Sequence, residues 1–239
     1  AGIFEEGSVH RAEEGTPQGG VVSPLLANIY LHEVLDTWFA AEVVPRLRAK
    51  GFMIRYADDA VIVLASEEDA RRVMEVLGKR FARYGLTLHP VKTRMVNFRR
   101  PDRAEGPPGP PVGSFDMLGF TWYWGKSRQG KPVIKRKTSS SRFRRALGKI
   151  ADWCRQHRHE PVAEQHIDLC RKLQGHYAYY GITGNSKALS RFCYEVRRAW
   201  RGWLNRRSQR ANMSWAKFNK LLQRYPLPPP RCVHSVLVT

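Results

Sequence analysis

Residues 52–64 read FMIRYADDAVIVL. Two short arms of strand-forming residues flank Ala57-Asp58-Asp59, a pattern that predicts a β-hairpin with the acids at its turn. Side chains on a strand alternate between faces, so Asp58 and Asp59 are not equivalent unless the turn brings them together. By themselves, paired acids in a turn are either a solvated surface feature or a cation site. If they lie within the apolar hairpin, two unneutralised carboxylates are costly. A hard divalent ion such as Mg2+ removes that cost and is completed by water and substrate phosphates. With two ions, such a site suits phosphoryl transfer.

Working outward, residues 13–39 open as a Gly-rich loop. Ser23 is placed to cap a helix with Pro24 at its first position. Leu31, Val34, Leu35 and Trp38 then follow helical spacing. Ser66-Glu67-Glu68-Asp69 resembles a capping box before a helix carrying Val73, Leu77, Phe81 and Tyr84, which Gly85 can end. Residues 86–98, LTLHPVKTRMVNF, read as strand material. Residues 101–114 hold five prolines and read as a loop. A second hairpin follows and turns near Gln129-Gly130. From Ser139 the periodicity becomes helical, with helices expected over about 140–157, 162–180, 186–208 and 214–225. In the third of these, Leu189, Phe192, Val196, Trp200 and Trp203 form an apolar stripe, while Arg191, Arg197, Arg198 and Arg201 fall mostly outside it. The class is therefore α+β, a mixed first half and an all-helical second half.

Charge divides the chain in the same place. The 239 residues carry a net charge of +20. Residues 1–120 hold 15 Lys and Arg against 16 Asp and Glu, whereas residues 121–239 hold 26 against 5. Such an excess on one module favours an anionic partner, and nucleic acid over membrane. No apolar run is long enough to span a bilayer and no signal peptide opens the chain. Cys154, Cys170, Cys193 and Cys232 form no CxxC pair, which argues against zinc; His157 and His159 read as surface residues. Reduced thiols and a cytoplasmic setting are expected.

Several segments together are more specific than the acid pair. PQGGVVSPLLANIYL (17–31), YADDAVIV (56–63), LTLHPVKTRMVNF (86–98) and MLGFTW (117–122) resemble, in order, the reverse transcriptase–maturases of bacterial group II introns. LQGHYAYYGITGNSKALSRF (173–192) and AWRGWLNRRSQR (199–210) are similar to the family's maturase, or X, domain. They argue against a relative from a defence or diversity-generating system.

The resemblance implies a partial polymerase palm, an antiparallel sheet with helices, over residues 1–124. A connecting hairpin at 125–138, a helical thumb or maturase domain at 139–226 and a tail at 227–239 complete it. Asp58 would be the principal metal ligand and Asp59 the second, with two Mg2+ ions in a complete site. Tyr56 and Ala57 would flank the nucleotide and primer end. Gln18, Gly19 and Gly20 would line the nucleotide and template. Lys92 would meet the departing pyrophosphate, although a lone Lys there is also readily an exposed one. Leu118, Gly119 and Phe120 would form the primer grip, a role compatible with hairpin core packing.

Lys135, Arg136, Lys137, Arg142, Arg144, Arg145, Lys149, Arg201, Arg206, Arg207 and Arg210 would meet phosphates, making binding salt-dependent. Tyr177, Tyr179 and Tyr180 read first as core and second as stacking residues. Partners implied are intron RNA, an RNA template with a DNA primer, and deoxynucleoside triphosphates.

The family's palm also needs a carboxylate on an earlier strand and basic fingers, and residues 1–20 offer neither. The chain therefore reads as a fragment, expected not to polymerise alone. The competing reading is a non-catalytic RNA-binding maturase fragment acting in splicing.

Overall fold

The computed structural model describes residues 2–5, 8–11, 21–101, 113–209 and 212–234. The chain forms two compact units, Ala1–Met95 and Val96–Thr239. The α+β class holds: small antiparallel sheets and helices come first, helices alone later.

In the first unit, β1 (Gly2–Glu5) pairs antiparallel with β2 (Ser8–Arg11). Helix α1 (Ser23–Leu31) is capped by Val22, one residue earlier than the sequence predicts. Pro24 is tolerated there because first-turn N–H groups lack helical partners anyway. The helix continues into wide π-type turns at His32–Thr37 and Phe39–Val43 and a tight turn at Val44–Arg46.

Leu35, Trp38, Phe39 and Val43 are thereby turned onto Val73 and Leu77 of helix α2 (Glu67–Arg83). Burying each such side chain contributes on the order of 1.5–3 kcal/mol. The Ser66 hydroxyl caps α2 by accepting the Asp69 N–H. Asp69 does not complete a reciprocal box. Its buried carboxylate instead accepts the Arg48 and Ala49 N–H groups at 2.9 and 3.2 Å, tying the preceding loop to the helix. Gly85, at φ 67°, ends α2 as expected, with the Leu86 N–H reaching back to the Phe81 carbonyl.

The hairpin comprises β3 (Gly51–Tyr56) and β4 (Asp59–Leu64), with Tyr56 opposite Asp59. Met53, Ile62 and Leu64 pack on the helical cluster. Residues 86–98 are not a strand, contrary to expectation. Pro90 has no N–H to give, and the His89 ring accepts the N–H groups of Val91 and Lys92, closing a turn.

In the second unit, β5 (Phe115–Met117), β6 (Phe120–Lys126) and β7 (Pro132–Thr138) form one antiparallel sheet in that order. The β6–β7 turn falls at Gly130, as the sequence suggests. Four helices follow: α3 (Ser140–Gln156), α4 (Val162–Tyr180), α5 (Ser186–Leu204) and α6 (Trp215–Arg224).

Their core contains Leu169, Leu173, Leu189, Phe192, Val196, Trp200 and Phe218. Trp203 is only half-buried at its edge, and Leu204 takes the inner position. The Trp200 indole donates to the Gln165 side-chain carbonyl at 2.8 Å, which satisfies both polar groups inside the core.

Buried Asn185 joins sheet to helices. It accepts the Thr138 N–H and donates to the Thr138 hydroxyl and the Tyr180 carbonyl, each at 2.9 Å. The hairpin over 125–138 is thereby tied to the helices within the second unit, Val96–Thr239. The described part of the tail, residues 227–234, packs on the helices. Leu227 is buried, and the Val233 and His234 N–H groups both bind the Gly181 carbonyl.

His176 lies against Phe192, ring centroids 3.7 Å apart, and its Nε2 is buried with no partner among the described residues. Burial lowers its pKa to about 4 from an ordinary 6.5. The folded state holds His176 neutral while the unfolded chain protonates near 6.5, so stability is full above that value. Stability should fall by up to about 3 kcal/mol as pH drops from 6.5 toward 4. His176→Phe should flatten this part of the profile, measured by urea denaturation across that range.

Candidate functional site

The tip of the first hairpin is a two-residue turn, Ala57-Asp58, between the paired Tyr56 and Asp59. Ala57 sits at φ 53°, a left-handed conformation that a non-glycine residue adopts only at a cost. Arg55 stabilises it. On β3, Met53 and Arg55 face inward while Phe52, Ile54 and Tyr56 face outward. From the inward face the Arg55 guanidinium donates to both Asp36 carboxylate oxygens at 2.8 and 2.6 Å. It also reaches the Asn28 side-chain carbonyl at 2.9 Å and the Ala57 carbonyl at 2.8 Å.

This paired fork is the strong form of an ion pair. It sits where the side chains are only 13% and 26% exposed. The Arg55 bond, supported by His32, holds the Asp36 carboxyl below the usual carboxylate range.

Asp58 and Asp59 are both exposed, and neither carboxylate has a hydrogen bond or ion pair among the described residues. The cost expected for carboxylates inside an apolar hairpin therefore does not arise, because the turn lifts both into solvent. A cation there would be bound for its own chemistry and is not required to rescue buried charge. Tyr56, 66% exposed, stands beside them. Lys92 is exposed on the turn after Pro90, not on a strand. Gln18, Gly19 and Gly20 lie outside the described residues. Among the described residues no group of three His, Cys, Asp or Glu side chains is placed to hold a metal.

In the second unit, Leu118 and Gly119 form the β5–β6 turn, at φ 51° and 78°. It is gripped from three sides. The Tyr179 hydroxyl donates to the Leu118 carbonyl at 3.0 Å. The Ser139 N–H donates to the Gly119 carbonyl at 2.9 Å. The Phe120 ring is buried and lies nearly parallel to that of Tyr179, with Tyr180 edge-on. Tyr177 is core, as expected, but Tyr179 is 55% exposed and bonded to this turn.

The basic residues separate by surroundings. Arg142, Arg145 and Lys149 are exposed at spacings that share one face of α3, and Arg144 is exposed as well. On β7, Arg136 lies over Trp122 and Lys137 over Tyr123, at 5.0 and 5.1 Å. Lys135 is half-buried along Gly125. Arg206 rests on Trp203. Arg207 differs from expectation. Its guanidinium donates through Nε and Nη2 to the carbonyls of Arg158 and Glu160, bracing the α3–α4 loop, which commits two of its five donors. Arg201 is likewise committed in part, to the Met213 carbonyl. Arg210 lies outside the described residues.

Sequence reading missed Arg55, Asp36 and Asn28, and the Tyr179 bond. One signal was present. Arg55 shares a strand face with Met53, and a charge on an inward face requires a partner.

The first unit thus carries an exposed acid pair on a braced hairpin, and the second a small antiparallel sheet with basic helices. A family profile for reverse transcriptases, RNA-dependent DNA polymerases, matches residues 3–122. The chain belongs to that family. It is also similar to the group II intron-encoded protein LtrA of Lactococcus lactis subsp. cremoris, 36% identical over 34% of this chain and 15% of LtrA. Protein YkfC of Escherichia coli K12 is 33% identical over 31% of this chain and 28% of YkfC. The chain thus spans well under half the length of either relative.

The Asp36 carboxylate stabilises the fold fully above its ordinary value of 3.8, and this contribution is lost as pH falls through its depressed value. Asp36→Asn should therefore cost about 1–3 kcal/mol near neutrality, with the gap to the parent closing under acid conditions in urea titrations. Gly119→Ala should lower the melting temperature of the second unit. Its new Cβ would lie 2.9 Å from the Tyr180 hydroxyl, on a backbone that disfavours any side chain.

Proposed function

We propose that this chain is part of an RNA-directed DNA polymerase encoded by a group II intron, with a basic helical unit that also holds intron RNA for splicing. The observation that carries the reading is the Asp58-Asp59 pair, presented to solvent on a turn that Arg55 braces. Two adjacent carboxylates are a donor set that Mg2+ accepts, the rest of its shell coming from water and substrate phosphates. When bound, the metal would supply charge stabilisation for nucleotidyl transfer. Tyr56 and Ala57 would border the incoming deoxynucleotide, and Lys92 the departing pyrophosphate. Gln18 to Gly20 would face nucleotide and template, and the Leu118–Phe120 turn the primer.

Residues 1–124 would act as palm and 139–226 as thumb and maturase, with 125–138 connecting them and 227–239 as a C-terminal tail. Exposed Arg142, Arg144, Arg145 and Lys149 would meet RNA or primer–template phosphates. A cytoplasmic setting accords with such partners. Among the described residues no helix is long and apolar enough to cross a membrane.

A second reading, an RNA-binding maturase without polymerase activity, is favoured by one fact. The charge excess of 26 against 5 lies in residues 121–239, apart from the acid pair. In the protein that carries this chain together with a third carboxylate, Asp58→Ala with Asp59→Ala should lower DNA synthesis by about 1000-fold or more while largely sparing splicing. Equal loss of both, with folding intact, would show that the roles are not separable. The 239-residue chain alone should show no Mg2+-dependent primer extension, since among the described residues no third carboxylate joins the pair.

A further inference from the structure

The inner face of α5 is fully committed to the core, but its outer face carries exposed Arg191, Tyr194 and Arg198 at helical spacing. Tyr194 is 54% exposed, and Trp215, at the start of α6, is 41% exposed. Their rings are parallel within 10°, with centroids 6.4 Å apart. Single exposed aromatics are ordinary, whereas two with parallel rings on neighbouring helices offer a paired aromatic surface, a shelf whose Trp215 ring carries Arg201 over one face.

The shelf is held rigidly. Trp215 meets buried Phe218 edge-on, and Phe218 meets buried Trp200 in the same way. The Arg201 guanidinium lies 4.4 Å from the Trp215 ring centroid and is tied to the Met213 carbonyl at 2.9 Å. The Ser214 hydroxyl caps α6 by accepting the Lys217 N–H, which fixes where Trp215 leaves the helix start.

The surroundings are cationic. Arg191, Arg198 and Arg201 lie on α5, and Lys217 on α6. The carboxylate on this face of α5, Glu195, is paired with Arg198 at 3.3 Å. An apolar protein partner would meet few apolar neighbours here. The complementary ligand is one with flat faces and negative charge between them, which is a nucleic-acid strand. Bases in a duplex have both faces occupied by their neighbours, so the shelf suits a base that is unpaired.

We infer that Tyr194 and Trp215 form a stacking site for an unpaired nucleobase of an RNA strand, with Arg191 and Arg198 meeting the adjoining phosphates. The inference rests on the proposed RNA binding of the helical unit and adds which form of RNA that unit selects.

The test uses the 239-residue chain and three RNAs in fluorescence-anisotropy titrations. The first is a duplex with a short unpaired 3′ overhang, the second the same duplex with an abasic overhang, and the third a blunt duplex. The abasic strand keeps every phosphate and removes only the bases. The chain should bind the intact overhang roughly 5- to 100-fold more tightly than the abasic one. Tyr194→Ala should abolish that preference while leaving abasic binding and its salt dependence unchanged, and Tyr194→Phe should retain it. Tyr194 lies outside the buried core, so its removal leaves the fold intact, as a melting curve would verify. Equal binding of intact and abasic overhangs, or a preference that survives in Tyr194→Ala, would overturn the shelf alone. No binding to any of the three RNAs at low salt would overturn the RNA-binding reading and the shelf together.

Discussion

Both candidate working turns carry a non-glycine residue in the left-handed region, and in each the carbonyl of that residue is held by a side chain. Ala57 and Leu118 are the non-glycine residues of the described chain with positive φ, at 53° and 51°. Each such backbone costs on the order of 1–3 kcal/mol and persists only where its surroundings over-determine it. Arg55 supplies the restraint at Ala57 and Tyr179 the restraint at Leu118. In each case the gripping side chain is itself fixed, Arg55 by Asp36 and Asn28, Tyr179 by its stacking on Phe120. The two turns are therefore rigid points from which other side chains project, and the residues that project are the ones the family resemblance singles out.

The second unit shows how a strongly basic domain can still have a closed core. Its inner polar groups are answered within the protein, Gln165 by Trp200 and Asn185 by Thr138 and Tyr180. Its cations sort into two populations. Some are structural, such as Arg207 against the Arg158 and Glu160 carbonyls. Others, on the outer face of α3 and on β7, are left to solvent or rest on aromatic rings. The second population keeps donors turned to solvent or to ring faces, whereas the first has part of its donors taken up within the fold.

The periodic elements were legible in the sequence. The four later helices begin within a residue of where the apolar spacing puts them, the third ending a turn earlier. The acid hairpin and the β6–β7 turn fall where predicted. These signals are local, because a repeat of 3.6 or 2 residues is a property of consecutive positions. Residues 86–98 misled because β-branched and apolar content resembles a strand, whereas a strand also needs a partner to satisfy its backbone. The grouping of the 125–138 hairpin with the helices was also hidden, since it depends on Asn185, 47 residues from Thr138 in sequence.

For the site, sequence by itself determined which residues are the candidates: the acid pair, the turn at Leu118 and Gly119, and a basic second half. Side-chain type and order suffice for that. Only the tertiary structure decided their state. It put Asp58 and Asp59 in water rather than in an apolar interior, committed Arg207 to backbone carbonyls, and tied Tyr179 to a turn 61 residues away. The physical reason is the same in each case. Exposure and hydrogen-bond partners are properties of distance in space, and chain order does not encode them until the helices and hairpins have packed.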